Sequence, residues 1–294
     1  RFIILVKTVD IVHIHCPNPL AFLSVLFSPF SFKYVLHWHS DVIKQKFLYK
    51  FFKVIENIVV NNAEIIIGST NSHIVCSNQY KNFKSKYKVI SYAINFDFLN
   101  AKPKKPNSIP THFFNKKFVF SLGRHVSYKG FKSLIESALD TKDDINFIIG
   151  GDGPDFSKNE KLIQKNNLSN RIFLTGRLSL NEIIYLYKNC IVFCLPSITK
   201  AEMFAVVQLE AMYFNKPVIS CNIPGSGVPI VNLHNITGLT IKPNCTKSLS
   251  NALNYISSNY NYLRYSSNIK KHLENFCYNN LINSHINLYK NLRS

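Results

Sequence analysis

Two carboxylates, Glu202 and Glu210, close the run "EMFAVVQLE" in a chain with 35 basic and only 16 acidic residues. If the whole stretch were helical, eight residues at about 100° each would set the two acids about 80° apart around the axis. A better fit is a helix from Phe204 to Asn215, with Asn215 taking the C′ position in place of glycine. Glu202 then stands just outside the N-terminus and Glu210 in the second turn. Backbone N–H groups at 203–206 would lack partners within such a helix, and a helix start favours an anion such as phosphate. Carboxylates beside that anion can accept hydrogen bonds from sugar hydroxyls. From spacing alone the plainer reading has the edge: Glu202 complements the helix dipole and Glu210 is a solvated helix residue.

Cations stand upstream. "SLGRHVSYKG" supplies Gly123, Arg124 and, five residues on, Lys129. A glycine turn lets backbone approach a ligand, and two cations can grip a diphosphate, although loop cations are usually just solvated. "IIGGDGPD" (148–155) is a second glycine turn and does not match the G-x-G-x-x-G dinucleotide fingerprint. His13 and His15 alternate along "DIVHIH" and so share one strand face; metal ligation is possible there, but a cleft-lining or packed pair fits better. The seven cysteines are scattered without a C-x-x-C pair, which reads as reduced and structural, with Cys190 and Cys194 facing a core.

Composition sets the frame. At 294 residues, 46% hydrophobic and 17% charged, the chain is globular, with room for one large or two medium domains. A net charge of +19 points to an anionic partner: nucleic acid, an acidic membrane surface or a phosphorylated substrate. No apolar run reaches the eighteen or so residues that span a bilayer, and the opening "RFIILVKTVDIVHIH" has neither an initiating Met nor a signal-peptide cleavage region.

The elements that would position these residues alternate. Runs 10–15, 33–38, 64–69 and 87–92 read as buried strands, with a helix at 45–60. After the Pro- and Lys-rich stretch 101–114 the alternation restarts, from "KFVFSLG" to "PVISCN". That pattern predicts an α/β fold with two doubly wound parallel sheets, whose ligands bind at the carboxyl ends of the strands in a cleft between them. The predicted boundaries are 1–108 for a partial N-terminal domain, 109–275 for a second domain, and 276–294 for a helix returning toward the first.

"GRHVSYKGF", "FIIGGDGP", "FLTGRLS" and "AEMFAVVQLEAMYFNKPVIS…ITGL", in that order, closely resemble the retaining glycosyltransferases of family 4, which have the GT-B fold. "DIVHIHCPNPLA", "HWHSD", "AEIIIGST" and "KVISYAIN" resemble the rear part of that family's N-terminal domain. The resemblance implies that Glu210 holds the ribose of a UDP- or GDP-sugar and that Glu202 contacts the donor sugar. Arg124 and Lys129 would neutralise the diphosphate as the glycosidic bond breaks, next to the Gly123 turn. Amides of Met203, Phe204, Ala205 and Val206 would add to that, Arg177 would lie near the base, and His39 would reach the sugar from the other domain. It implies no cofactor and no divalent metal, in keeping with the lack of a D-x-D. Departures are Ala205 where the family usually has glycine, "SYAIN" for a "PxGxD"-like strand end, and no acid in "IPGSGVPIVN". The family's first strand and glycine loop have no counterpart, so roughly 70–90 residues are expected to be missing at the start.

The basic aromatic segment 44–55, with Lys44, Lys46, Lys50 and Lys53 among Phe47, Leu48, Tyr49, Phe51 and Phe52, suits an anionic membrane interface or burial against a sheet. The expectation is a cytoplasmic, peripherally membrane-bound transferase that moves a hexose to a glycan or lipid-linked acceptor in surface polysaccharide (lipopolysaccharide) synthesis. The alternatives are a truncated relative that binds nucleotide without turnover, and a basic nucleic-acid-binding protein. Nucleic acid is not the expected partner, because no helix-turn-helix, zinc-knuckle or RNP signature accompanies the charge.

Overall fold

The computed structural model describes residues 2–42, 46–258 and 264–293. They form two compact units: Arg1–Ala93 with Pro224–Gly227 and Tyr278–Ser294, and Ile94–Ile223 with Val228–Cys277.

The first unit is built on four parallel strands in chain order, β1 Ile11–Cys16, β2 Lys33–Trp38, β3 Ile65–Gly68 and β4 Tyr87–Val89. Successive side chains of a strand point to opposite faces, and the two faces here have different cores. On one, Ile14, Cys16, Tyr34, Leu36 and Trp38 pack with Phe22 and Val59 from helices Pro19–Leu26 and Lys46–Asn62. On the other, Val35 and Ile67 meet Leu288 from helix Tyr278–Arg293. His13 and His15 fall on this second face by parity, and β1–β2 register sets His15 directly opposite His37. The expected run 87–92 is shorter as a strand: Ile90 still donates to the Gly68 carbonyl at 3.0 Å, and pairing then ends. Of the basic aromatic segment, residues 44 and 45 and the side chains of 46–49 and 51 lie outside the described residues.

The second unit carries β5 Lys117–Leu122, β6 Ile145–Gly150, β7 Ile172–Gly176, β8 Val192–Leu195, β9 Val218–Cys221 and β10 Gly238–Ile241, all parallel, in the order β10-β9-β8-β5-β6-β7. Helices cover both faces, so its central strands are continuous apolar runs; Phe120, Phe147, Phe193, Cys194 and Ile219 are fully buried. Ser179 and Glu182 form a capping box that starts helix Leu180–Asn189. Asn181 ties down the Lys-rich stretch, donating to the Lys102 carbonyl at 2.8 Å and accepting from Lys104 N–H at 3.0 Å.

The strand order reverses between β5 and β8. Those strands pair only at Val119 with Val192 and Phe120 with Phe193. Beyond that point Ser121 Oγ bridges to the Cys194 carbonyl at 2.6 Å. Such a switch point leaves a crevice outside the carboxyl ends of the two strands, the usual ligand position in an open α/β sheet.

Candidate functional site

The loop after β5 begins at Gly123, whose N–H donates to the Gly150 carbonyl at 3.1 Å. A Cβ at Gly123 would lie 3.3 Å from Lys129 Cε and 3.4 Å from its Cδ, so glycine leaves room for the lysine stem to cross the turn. His125 anchors the next step. It is fully buried, its N–H donates to the Asp152 carbonyl at 2.9 Å, and its Nδ1 accepts from Asn159 Nδ2 at 3.0 Å. Arg124 is left exposed. The glycine turn 148–155 therefore braces this loop: a Cβ at Gly151 would sit 2.0 Å from the Gly123 carbonyl oxygen.

Across the crevice, the loop after β8 delivers Glu202. The residue is 8% exposed, and its carboxylate receives Lys129 Nζ at 2.5 Å and accepts from Ser197 Oγ at 2.7 Å. Such an ion pair holds when extra hydrogen bonds satisfy the remaining lone pairs, and Ser197 supplies one. Gly130 closes the lysine's turn at φ 70°, where a Cβ would lie 2.0 Å from the Pro196 carbonyl oxygen. The two loops thus fit only with glycine at that position.

The helix expected from Phe204 to Asn215 is Val207–Tyr213, starting three residues late. Ala205 causes the delay: at φ 60° it is in the left-handed region, which a right-handed helix cannot include. Met203, Phe204, Ala205 and Val206 form the preceding turn, with Val206 as N-cap. The expected run of helix-start amides at 203–206 is corrected accordingly, and Glu210 moves from the second turn into the first. Phe204 is buried with its ring edge-on to Phe276 at 5.9 Å. The C-terminal end follows the sequence pattern, with Phe214 as cap and Asn215 left-handed at φ 55°.

Glu210 accepts a hydrogen bond from the buried Tyr187 hydroxyl at 2.9 Å. Burial pushes its carboxyl up from the ordinary range, and that bond pulls it partly back. Arg177, just past β7, is highly exposed and lies 3.7 Å from Asp152. His39 belongs to the first unit. It stands directly after β2, as expected, and its Nδ1 is hydrogen-bonded to the Tyr92 hydroxyl. Its Nε2 lies 2.7 Å from His15 Nδ1, and burial, then the neighbouring His15, lowers its pKa.

The structure therefore brings Gly123, Lys129 and Glu202 together at the β5/β8 crevice and places Glu210 on the helix that follows. Ser197 and Tyr187, which orient the two acids, carried no sequence signal of their own. A serine after a strand and a tyrosine within an amphipathic helix both read as ordinary.

A sequence profile of the family described as "Glycosyl transferases group 1" matches residues 104–272. O-antigen chain mannosyltransferase C of Escherichia coli is 27% identical over 285 residues, 96% of this chain and 76% of that protein. D-rhamnosyltransferase WbpZ of Pseudomonas aeruginosa is 26% identical over 250 residues, 84% of this chain and 64% of that protein. Among solved structures, Anabaena HepE in complex with UDP superposes with a TM-score of 0.81 at 19% identity, covering 99% of this chain and 80% of that one. Sucrose-phosphate synthase from Thermosynechococcus elongatus gives 0.78 at 19% identity, covering 97% and 74%.

The left-handed Ala205 yields a stability test. Ala205→Gly removes the Cβ strain but loosens the unfolded chain, and the net gain expected is about 0.5–1 kcal/mol. Denaturant unfolding checks it, and a loss of stability would show that the turn is not held at positive φ.

Proposed function

The chain belongs to the Glycosyl transferases group 1 family and has the GT-B fold of two parallel-sheet α/β domains, and on that premise we propose that it transfers a hexose from a UDP- or GDP-sugar to a glycan or lipid-linked acceptor. The reaction is retaining, as in family 4, and serves surface polysaccharide synthesis; the O-antigen naming of the Escherichia coli relative supports that setting. The observation that carries the reading is the Lys129–Glu202 pair at the β5/β8 switch point.

The proposed chemistry follows from that pair. A bound diphosphate competes for the Lys129 ammonium and thereby releases the Glu202 carboxylate to accept from hydroxyls of the donor sugar. As the bond between the anomeric carbon and the diphosphate oxygen breaks, its electron pair leaves with the diphosphate. Lys129 and the exposed Arg124 meet the developing charge. No divalent metal is assigned to the diphosphate. The electron-deficient sugar is attacked by the acceptor hydroxyl on the face the diphosphate leaves; the hydroxyl's proton passes to the departing diphosphate oxygen, and the anomeric configuration is preserved. Glu210, oriented by Tyr187, holds the ribose hydroxyls, Arg177 lies toward the base, and His39 is assigned to the donor sugar. UDP in the HepE complex supports a uridine donor, and GDP-sugars stay within the proposal.

Transfer from UDP- and GDP-hexoses to an isolated lipid-linked acceptor pool tests this. Lys129→Ala and Glu202→Gln are each expected to lower kcat by about 100-fold or more, the usual cost of losing one charge-stabilising group. The product is expected to keep the donor's anomeric configuration by NMR. An inverted product, or variants as active as the parent chain, would overturn the assignment.

We also propose that the first unit rests on an anionic membrane surface at the cytoplasmic face. Lys50 and Lys53 are exposed on helix Lys46–Asn62 beside Val54 and Ile58, which are 62% and 41% exposed. No helix among the described residues is long and apolar enough to cross a membrane. Basic and apolar side chains together suit the interface of an anionic leaflet. Co-sedimentation with phosphatidylglycerol vesicles is expected to exceed that with phosphatidylcholine and to fall for Lys50→Glu/Lys53→Glu. Equal partition into both vesicle types would sink the idea.

A further inference from the structure

The second face of the first unit's sheet collects histidines. His13, His15 and His37 each bring one ring nitrogen within 4.8 Å of the others. His15 stacks on His37 with ring centroids 5.3 Å apart and on His13 at 4.9 Å. His37 is only 5% exposed, yet neither of its ring nitrogens has a hydrogen-bond partner among the described residues, and His13 Nε2 is buried in the same condition. A neutral imidazole holds one donor and one acceptor, and leaving them unmet in a core carries a desolvation cost. The group therefore contains buried lone pairs with no protein donor to receive.

We propose that His13, His15 and His37 form a site for one divalent transition-metal ion of the zinc class.

The hydrogen bonds around the cluster orient it for that purpose. His13 Nδ1 is 2.5 Å from the Tyr289 hydroxyl, and His15 Nδ1 is 2.7 Å from His39 Nε2, whose ring in turn is bonded to Tyr92. With each Nδ1–H donating outward, His13 and His15 both keep the Nε2 lone pair for an ion. Metal-bound histidines generally fix their tautomer through such an outer partner. Burial, with the neighbouring histidines, lowers the pKa of His13 to about 4 and that of His37 to about 3.

Three imidazoles without a carboxylate or thiolate select zinc, cobalt, nickel or copper over magnesium or calcium. The nearest cysteine in sequence, Cys16, packs into the opposite core. The rings must turn from their stacked arrangement to bring their nitrogens to about 3.3–3.4 Å, the edge of a tetrahedron with bonds near 2.0–2.1 Å. The fourth position is left to water. His285, whose ring centroid is 5.9 Å from that of His13, already has Nδ1 hydrogen-bonded to the Leu281 carbonyl at 2.9 Å. An ion here would tie β1 to β2 and, through His15, fix the orientation of His39.

The test is metal titration of untagged, chelator-stripped chain, with cobalt absorption and zinc competition against a chromogenic chelator as readouts. It is independent of sugar transfer, so its failure leaves the proposed function standing. About one equivalent of zinc is expected, with tetrahedral cobalt bands. His37→Asn and, as the most exposed ligand, His15→Asn should each weaken binding about 100-fold or more, and Tyr289→Phe about 10-fold. His112→Asn, in the second unit, should leave affinity unchanged. Folding of each variant is read by circular dichroism. A folded parent chain that takes up no stoichiometric metal, or folded His15→Asn and His37→Asn chains that bind like the parent, would overturn the site.

Discussion

Lys129 and Glu202 meet at 2.5 Å with their side chains only 12% and 10% exposed. Taking two charges that far out of water is costly, and the pair holds because its surroundings offset the loss. Ser197 donates to the same carboxylate oxygen, and each partner arrives on a loop from a different strand at the one place where the second sheet changes direction. Remove either charge and the other is left nearly buried and unmatched. Under the proposed function, a dianionic diphosphate replaces the carboxylate against the same lysine.

The backbone around the pair is shaped to let the two loops meet. Glycine at 123 lets the lysine stem cross, glycine at 130 turns the chain against Pro196, and Gly151 allows two loop backbones to touch. Ala205 performs a related left-handed turn with a side chain present, at φ 60°. It stores strain one turn before Glu210 and shortens the helix that carries it. Strained backbone next to a binding group persists where the surrounding structure fixes it. Here the fixing contacts are the buried Phe204 on one side and Gln208, whose Nε2 donates to the Phe204 carbonyl at 3.2 Å, on the other.

Much of this was legible in the sequence. The central strands of the second unit are buried on both faces and so appear as unbroken apolar runs, whereas the edge strand β10, four residues long and only half-buried, was not read as a strand. Gly123, Lys129 and Glu202 were visible as residue types that suit a diphosphate and a sugar. The helix start was misplaced because its breaker is an alanine, which a sequence pattern reads as helix-forming. Tyr187 could not be found because it reaches Glu210 from another helix, 23 residues away, with no shared periodicity. The histidine group shows the same limit: the alternation of His13 and His15 was plain, but only the β1–β2 register and the packing of helix Tyr278–Arg293 bring His37 and His285 beside them.

The most direct measurement is calorimetric titration of UDP and GDP into the parent chain and into Glu210→Ala. One nucleotide should bind, and loss of a carboxylate that accepts from ribose should weaken it by about 10–100-fold, the worth of hydrogen bonds to a charged group. A folded chain that binds neither nucleotide, or a variant that binds as tightly as the parent, would contradict the assignment of the β5/β8 crevice as a nucleotide-sugar site.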